Sequence, residues 1–322
     1  MITQLFIGID VSKDTLDVSV TSGDSRFDSR SVTNDAKGFA ELFEWLTKFG
    51  TLESWRMTLE ATSAYHRAFV LWFAEKGVAV LVLNPKQARD LARGLGILRK
   101  NDATDAKVLA QCALMAWREP VPLPDVQQAE LQELSRRMDV LTRQRASERK
   151  RLLRPGACEA FMESCRRLIE FLTQEIEQLE AAWNDVLAVC QDLKATHKVI
   201  LSIPGVGQVT ARVVISEMYV TPRERSVKQC VAYAGLAPQE QTSGTSVRRQ
   251  TRTFKTGNKR LRTALYMGAV SSIRRDSGCR DLYTRIVGTG KAKKIALVAV
   301  MNKILRRIAA VAKRGTVWTP EP

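Results

Sequence analysis

The stretch Leu5-Phe6-Ile7-Gly8-Ile9-Asp10-Val11-Ser12-Lys13-Asp14-Thr15-Leu16-Asp17-Val18-Ser19-Val20-Thr21 decides the fold class of the first third of the chain. Leu5 to Ile9 is a short apolar run that ends at Asp10. Beyond the polar Ser12-Lys13-Asp14 turn, Leu16, Val18 and Val20 alternate with Asp17, Ser19 and Thr21. This pattern predicts an antiparallel strand pair. Working outward, a helix is expected at about 37–49, then a strand through Trp55, Met57 and Leu59 that ends at Glu60. A second helix is expected at about 65–76, and Val78-Ala79-Val80-Leu81-Val82-Leu83 reads as a buried strand stopped by Asn84-Pro85. A further helix opens near Asp102 and carries Val108, Leu109, Cys112 and Leu114. Hairpin-paired strands followed by strands separated by helices predict an α/β unit, a mixed sheet with helices packed on it.

The whole chain has 322 residues, enough for two domains with a helical insertion between them. A composition 45% hydrophobic and 26% charged excludes disorder, collagen and a disulfide scaffold. No uninterrupted apolar stretch reaches 18 residues, and Met1-Ile2-Thr3-Gln4 does not begin a signal peptide, so the expectation is a soluble, cytoplasmic protein with no membrane partner. Six cysteines without a C-x-x-C pair, beside only His66 and His197, argue against a zinc site. A metal here would be held by carboxylates.

The net charge of +16 is unevenly placed. Between Ser246 and Gly315 stand 19 Lys/Arg, among them Arg248, Arg249, Arg252, Lys255, Lys259, Arg260 and Arg262, against Asp276 and Asp281 alone. The remainder holds 31 basic and 32 acidic residues and is close to neutral. A polycationic end on a neutral body is expected of a module that tracks a phosphate backbone. A solvated basic surface or attraction to anionic membranes is the alternative, but apolar helix positions such as Leu261, Leu265, Ile304 and Leu305 are interleaved with the charges, unlike a juxtamembrane tail. ATP chemistry is not indicated, because Gly290-Lys291 is followed by Ala292 and Arg285 stands where a Walker motif begins with Gly.

Two other segments have their own periodicity. Cys158, Met162, Cys165, Ile169, Leu172, Ile176, Leu179, Trp183, Val186 and Cys190 follow one another at spacings of three and four, the seam of a coiled coil. Leu131, Leu134, Met138 and Leu141 keep the same spacing upstream, and Pro155-Gly156 separates the two runs, so a helical hairpin used for self-association is expected. The three seam cysteines are read as small core residues. Further on, Ile203-Pro204-Gly205-Val206-Gly207 joins two apolar helical runs. Gly205 and Gly207 could aim backbone N–H groups at a phosphate, as helix-hairpin-helix modules do; without a ligand the segment is a plain interhelix turn.

Four carboxylates could carry chemistry. Asp10 and Glu60 each end a strand, and Asp102 and Asp105 lie three apart at a helix start, on nearly one face. Were they to converge, two Mg²⁺ ions about 3.5–4 Å apart would offset their repulsion and could act on a scissile phosphate. Each residue also has an ordinary reading as a turn, a solvated strand end or a helix cap. The set in its strand-and-helix context favours the metal site.

Phe6-Ile7-Gly8-Ile9-Asp10-Val11-Ser12-Lys13, Leu59-Glu60-Ala61-Thr62, Asn84-Pro85 and Lys100-Asn101-Asp102-Ala103-Thr104-Asp105-Ala106 resemble the DEDD transposases of bacterial insertion sequences, a family that includes the Piv-type DNA invertases. The resemblance continues through Ser202-Ile203-Pro204-Gly205-Val206-Gly207, Ala232-Tyr233-Ala234-Gly235-Leu236-Ala237-Pro238, Ser243-Gly244-Thr245-Ser246 and Arg262-Thr263-Ala264-Leu265-Tyr266-Met267, so it spans nearly the whole chain. It implies a RuvC-like, ribonuclease H-like catalytic domain at 1–122, a coiled-coil hairpin at 123–192 and a mainly α transposase domain at 193–322. It further implies that Asp10, Glu60, Asp102 and Asp105 bind metal and that Ser243 is the nucleophile, with Ser246 close by. Donor and target DNA, a structured non-coding guide RNA (the bridge RNA) and a homo-oligomeric state, dimer or tetramer, are implied as partners, in the bacterial cytoplasm at the nucleoid.

The function expected is Mg²⁺-dependent DNA recombination through a phosphoserine. Attack by a serine hydroxyl keeps the phosphodiester bond energy in an ester, so the strand can be rejoined without ATP, whereas attack by water only cuts. Two alternatives stand beside it. One is a RuvC-like junction nuclease that hydrolyses with the same tetrad. The other is a noncatalytic protein that bridges nucleic acids.

Overall fold

The computed structural model describes residues 4–24, 26–61, 65–97, 102–120, 124–218, 226–243, 247–253 and 257–320. The chain divides into two compact units, Met1–Leu123 and Pro124–Pro322.

In the first unit, β1 (Leu5–Val11) and β2 (Thr15–Thr21) form the expected hairpin, closed by Ser12, whose N–H donates to the Thr15 carbonyl at 2.9 Å. A strand that the alternation did not show, β3 (Asp28–Thr33), pairs antiparallel with β2 at the sheet edge. It reads as polar because only Val32 is buried. After α1 (Ala36–Thr47), β4 (Trp55–Glu60) lies parallel to β1, and after α2 (His66–Glu75), β5 (Val80–Leu83) lies parallel to β4. The five-stranded order is β3-β2-β1-β4-β5.

The helices follow from local chemistry. Asp35 caps α1 by accepting from the Gly38 N–H at 2.8 Å, and Phe39, Leu42 and Leu46 form its buried stripe. These residues pack with Phe69 and Phe73 of α2 and with Ile7, Ile9, Leu16 and Val18 of the sheet. Removing Ile9 or Leu42 to alanine costs roughly 2–5 kcal/mol of stability at such sites. Asn84-Pro85 does more than stop β5. Asn84 accepts from the Lys86 N–H and opens α3 (Pro85–Gly94) with proline in its first turn. The other face of β5 packs on Val108, Leu109 and Cys112 of α4 (Asp102–Ala116).

The second unit is mostly helical: α5 (Val126–Leu152), α6 (Glu159–Val189), α7 (Gln191–Leu201), α8 (Gln208–Glu217) and α9 (Val227–Tyr233) precede a two-stranded ribbon, and α10 (Lys259–Arg275), α11 (Ser277–Gly288) and α12 (Lys293–Arg314) follow it. The ribbon, β6 (Pro238–Ser243) and β7 (Val247–Thr253), is antiparallel. Helices α5 and α6 form the expected hairpin, but their roots are part of a larger core. Leu131, Met138, Trp183 and Leu187 pack in one cluster with Ile200, Ile215, Leu261, Leu265 and Ile304.

The α6 seam turns toward α5, with Leu172 and Ile176 burying Leu141. The apolar surface from which self-association was expected is therefore occupied inside the chain. The seam cysteines divide: Cys165 is buried, Cys190 ends α6 half-buried and Cys158 is exposed at the α6 N-cap, so only the first is a core residue. Among the described residues no helix is long and apolar enough to cross a membrane.

Candidate active site

Parallel pairing of β1 with β4 fixes the first two carboxylates. The register ends at Ile9 opposite Leu59, which puts Asp10 and Glu60 one step beyond, side by side at the C-terminal ends of adjacent strands. Strand side chains alternate. Ile9 and Leu59 go to the face shared with α1 and α2, and Asp10 and Glu60, both half-buried, go to the other.

Helix α4 covers that second face. A Cβ on Gly8 would stand 2.1 Å from the Ala106 carbonyl oxygen and 2.2 Å from the Ala110 nitrogen, so the helix backbone rests on the strand where only glycine leaves room. At the other end the guanidinium of Arg56, near the start of β4, lies 5.5 Å from the centre of the Trp117 ring, just past the end of α4. The helix thus runs antiparallel to β1 and β4, and its N-terminal turn, with Asp102 and Asp105, lies toward the Asp10 and Glu60 end. Asp105 immediately precedes Ala106, the residue over Gly8. The thiol of Cys112, on the same helix, is pushed up to about 11, first by burial and then by the negative charge of Glu60.

The structure brings Asp10, Glu60 and Asp105 to one end of the sheet. The backbone of Asp102 opens α4, and its side chain lies outside the described set. Carboxylate oxygens are the hard ligands that suit Mg²⁺, so the donor chemistry fits that ion. Among the described residues no three such side chains are already drawn together as a cation site.

Sequence reasoning missed one neighbour. Asp17 pairs directly with Asp10 across β1 and β2 and faces the same side. The signal was there, because counting register back from the Ser12-Lys13-Asp14 turn sets the two aspartates opposite one another. Beside them a cavity of about 160 Å³ is lined by Asp17, Ser19, Ser29 and Ser31.

The second unit carries the other site residues. Ser243 is the last residue of β6, with its backbone paired to Val247; its side chain and residues 244–246, including Ser246, lie outside the described set. Arg248, Arg249 and Arg252 lie on β7, opposite Thr242, Gln241 and Gln239 in register. Lys255 is likewise outside the described residues, and Lys259 is exposed at the start of α10.

Two of the expected nucleic-acid contacts have internal duties. Arg260 donates to Asp139 at 2.7 Å, to Ser135 at 3.0 Å and to Glu217, which ties α10 to α5 and α8. Arg262 donates to the carbonyls of Ala234 at 3.0 Å and Gly257 at 3.4 Å. These bonds take both guanidinium groups out of the basic surface. Arg307 is a further strut: it pairs with Asp276 at 2.8 Å and lies 4.3 Å from the Trp318 ring centre. Burial raises the Asp276 carboxyl, but the Arg307 bond and the Cys279 N–H outweigh it and hold the group below its ordinary value.

The Gly205 turn is also partly structural. Gly205 has φ +88°, and a Cβ there would stand 2.5 Å from the Ser272 nitrogen, so this residue packs against α10. Gly207 is exposed and precedes α8 with no side-chain cap.

Known proteins resemble this chain along most of its length. Residues 7–154 match the DEDD transposase model of the IS110 type, and residues 197–284 match the transposase model of the IS116/IS110/IS902 family. Pilin gene-inverting proteins of Moraxella lacunata and Moraxella bovis are each 28% identical over 320 residues, covering 97% of this chain and 97% of theirs. The transposase for insertion sequence element IS1111A of Coxiella burnetii is 25% identical, covering 76% of this chain and 74% of its own. The matches define an enzyme of DNA transposition and recombination. The chain belongs to the IS110 family of transposases.

Proposed function

We propose that the first unit is a ribonuclease H-like (RuvC-like) nuclease domain and that the chain cuts and rejoins DNA through it and Ser243. Residues 1–122 would then carry the metal site, 123–192 a coiled-coil hairpin and 193–322 the serine and the basic surface. One observation carries the reading: Asp10 and Glu60 end adjacent parallel strands beneath the N-terminal part of α4, the helix that brings Asp105. The sheet order, with an antiparallel β1-β2-β3 meander and parallel β4 and β5, supports it. Asp10, Glu60, Asp102 and Asp105 would hold two Mg²⁺ ions, which when bound stabilise charge on the attacking and leaving oxygens of a phosphate.

The chain's own step is a transesterification. The Ser243 hydroxyl oxygen attacks phosphorus, the bond from phosphorus to the 3′ oxygen breaks, and the DNA 5′ end stays on the enzyme as a phosphoserine. The serine gives up its proton as it attacks, and the leaving 3′ oxygen takes one up. A 3′ hydroxyl of the recombining partner then attacks the ester and expels the serine. Bonds broken and formed are equal in number, so no nucleotide is consumed.

Arg248, Arg249, Arg252, Lys255 and Lys259 bind the nucleic-acid backbone, and the exposed Gly207 turn adds a phosphate contact. Donor and target DNA are the substrates, with a guide RNA as further partner, in a homo-oligomer in the bacterial cytoplasm. Since the α6 seam is taken by α5, the oligomer would draw on other surfaces, such as Leu168 and Phe171, exposed on α6. The test is a denaturing gel of the purified protein with DNA and Mg²⁺. A covalent adduct lost in Ser243→Ala and in Asp10→Ala is expected. Cleavage that persists without an adduct in Ser243→Ala would establish hydrolysis in its place.

A further inference from the structure

The ribbon that carries Ser243 leaves the helical core at one point and returns at another, and both points close on one residue, Glu217, the first through its backbone carbonyl and the second through its buried carboxylate. On the outgoing side, the Tyr233 hydroxyl at the end of α9 donates to the Glu217 carbonyl at 2.9 Å. On the returning side, the Asn258 side-chain amide donates to the Glu217 carboxylate at 2.6 Å, while its oxygen caps α10 by accepting from the Leu261 N–H at 3.0 Å. The two sides are also joined directly. The Asn258 N–H donates to the Tyr233 carbonyl at 2.7 Å, and a Cβ on Gly257 would stand 2.2 Å from the Gly235 nitrogen.

Helix α5 reaches the same carboxylate. Arg136 donates to both Glu217 oxygens, at 3.1 and 3.3 Å, and Arg260, also bound to Glu217, bonds back to Ser135 and Asp139 of α5. The Glu217 side chain is 1% exposed, whereas that of Arg136 is 53% exposed. Burial raises the Glu217 carboxyl, and the bonds and charges of Arg136, Asn258 and Arg260 more than reverse that, leaving it below its ordinary value.

Apolar packing already joins these elements through Leu131, Met138, Ile215 and Leu261. A buried ion network is a poor way to gain further stability, because desolvation offsets the attraction. Forked guanidinium bonds do add fixed direction. We propose that Glu217 is a positioning residue for strand transfer: it clamps both roots of the Ser243 ribbon to α5, so that the direction of the α5–α6 hairpin sets where the serine is presented. Movement of the hairpin within an assembly would pass through Arg136, the solvent-exposed limb of the clamp, to the ribbon. This rests on Ser243 being the nucleophile.

The test uses full-length Glu217→Gln, Arg136→Gln and Arg136→Lys and reads two quantities. Amide hydrogen exchange across 233–258 reports the ribbon roots without any chemistry, and the rate of covalent adduct formation with DNA reports presentation of the serine. Arg136→Gln, a change at an exposed side chain that leaves Arg260 and Asn258 on Glu217, should keep the DNA affinity of the parent and lower its thermal midpoint less than Glu217→Gln does, while exchange quickens and the adduct forms more slowly. Glu217→Gln should lose more, up to about 100-fold in adduct rate, the order of loss that a displacement of ~1 Å causes. Arg136→Lys should recover part of the rate, since it restores charge without the fork.

Unchanged exchange and adduct rate in Arg136→Gln would overturn the clamp. So would a loss of adduct that merely follows loss of thermal stability across the three variants. An adduct persisting in Ser243→Ala would remove the nucleophile that the clamp is proposed to serve, a failure separable from the others because it leaves the exchange result intact.

Discussion

The carboxylate end of the sheet and the Ser243 ribbon are held by opposite means. Asp10 and Glu60 stand on strands inside a five-stranded sheet, and the helix above them rests on bare backbone at Gly8. Ser243 ends a strand of a two-stranded ribbon whose roots are fixed by a polar network around Glu217. Close packing tolerates little displacement, whereas hydrogen bonds and ion pairs at a partly wet surface can exchange partners. The contrast teaches that the part proposed to hold metal is built to stay still and the part proposed to carry the nucleophile is built to be aimed.

The largest expected effect tests the rigid side. Asp10→Ala or Glu60→Ala should lower strand cleavage by a factor on the order of 10³ or more while DNA binding, measured by gel shift, stays near the parent value. Cleavage at the parent rate would remove the metal assignment. Next come the two glycines that let backbones touch. Gly8→Ala should destabilise the first unit by about 1–3 kcal/mol, read as an earlier unfolding transition, because α4 must rise off β1. Gly257→Ala, at a comparable closeness to Gly235, should instead slow adduct formation with a smaller change in unfolding. Equal unfolding shifts for the pair would erase the contrast.

A third comparison separates the cations of the ribbon from the struts. Neutralising Arg248, Arg249 and Arg252 together should reduce the salt slope of nucleic-acid binding by about 0.7–0.9 for each phosphate that is no longer neutralised. Arg262→Gln should leave that slope alone, since its guanidinium serves Ala234 and Gly257. The smallest effect is one of pH. Asp276 and Glu217 both have folded values below their ordinary ones, so each stabilises the second unit fully above the unfolded value, and the contribution is lost as pH falls through the folded value. Below about pH 4 the second unit should therefore melt earlier, and Asp276→Asn should flatten this acid slope. A melting temperature independent of pH between 5 and 3, taken as roughly the range of carboxylate titration, would contradict it.

The same contrast governs what could be read from the sequence. The β1–β2 hairpin, β4, β5 and α4 were legible because alternation and apolar runs record a two-sided environment, and with them came the placement of Asp10, Glu60, Asp102 and Asp105. β3 was not legible, since an edge strand with Asp28, Ser29, Arg30 and Ser31 exposed needs no apolar face. The ribbon escaped for a related reason: Gln239, Gln241 and Thr242 facing Arg252, Arg249 and Arg248 carry no hydrophobic alternation to mark a strand pair. Arg260 was read with the basic surface because its partner Asp139 lies 121 residues away. Charge counted along a chain cannot tell a strut from a surface cation. The α6 seam was legible as a seam, but its period does not say whether the facing helix belongs to the same chain.

The seat of α4 on Gly8 also has a consequence for the order of events during synthesis. Strands leave the ribosome before the helix does, so a growing chain displays Asp10 and Glu60 while Asp102 and Asp105 are still unmade or unplaced. Until α4 settles on the strand, the acids at the sheet end are incomplete. A nascent or misfolded chain would hold only part of the proposed tetrad, and the cutting proposed for it would wait on the last helix of the first unit. On the function proposed above, a nuclease that arms itself only on completing its fold would spare the genome in which its element must persist.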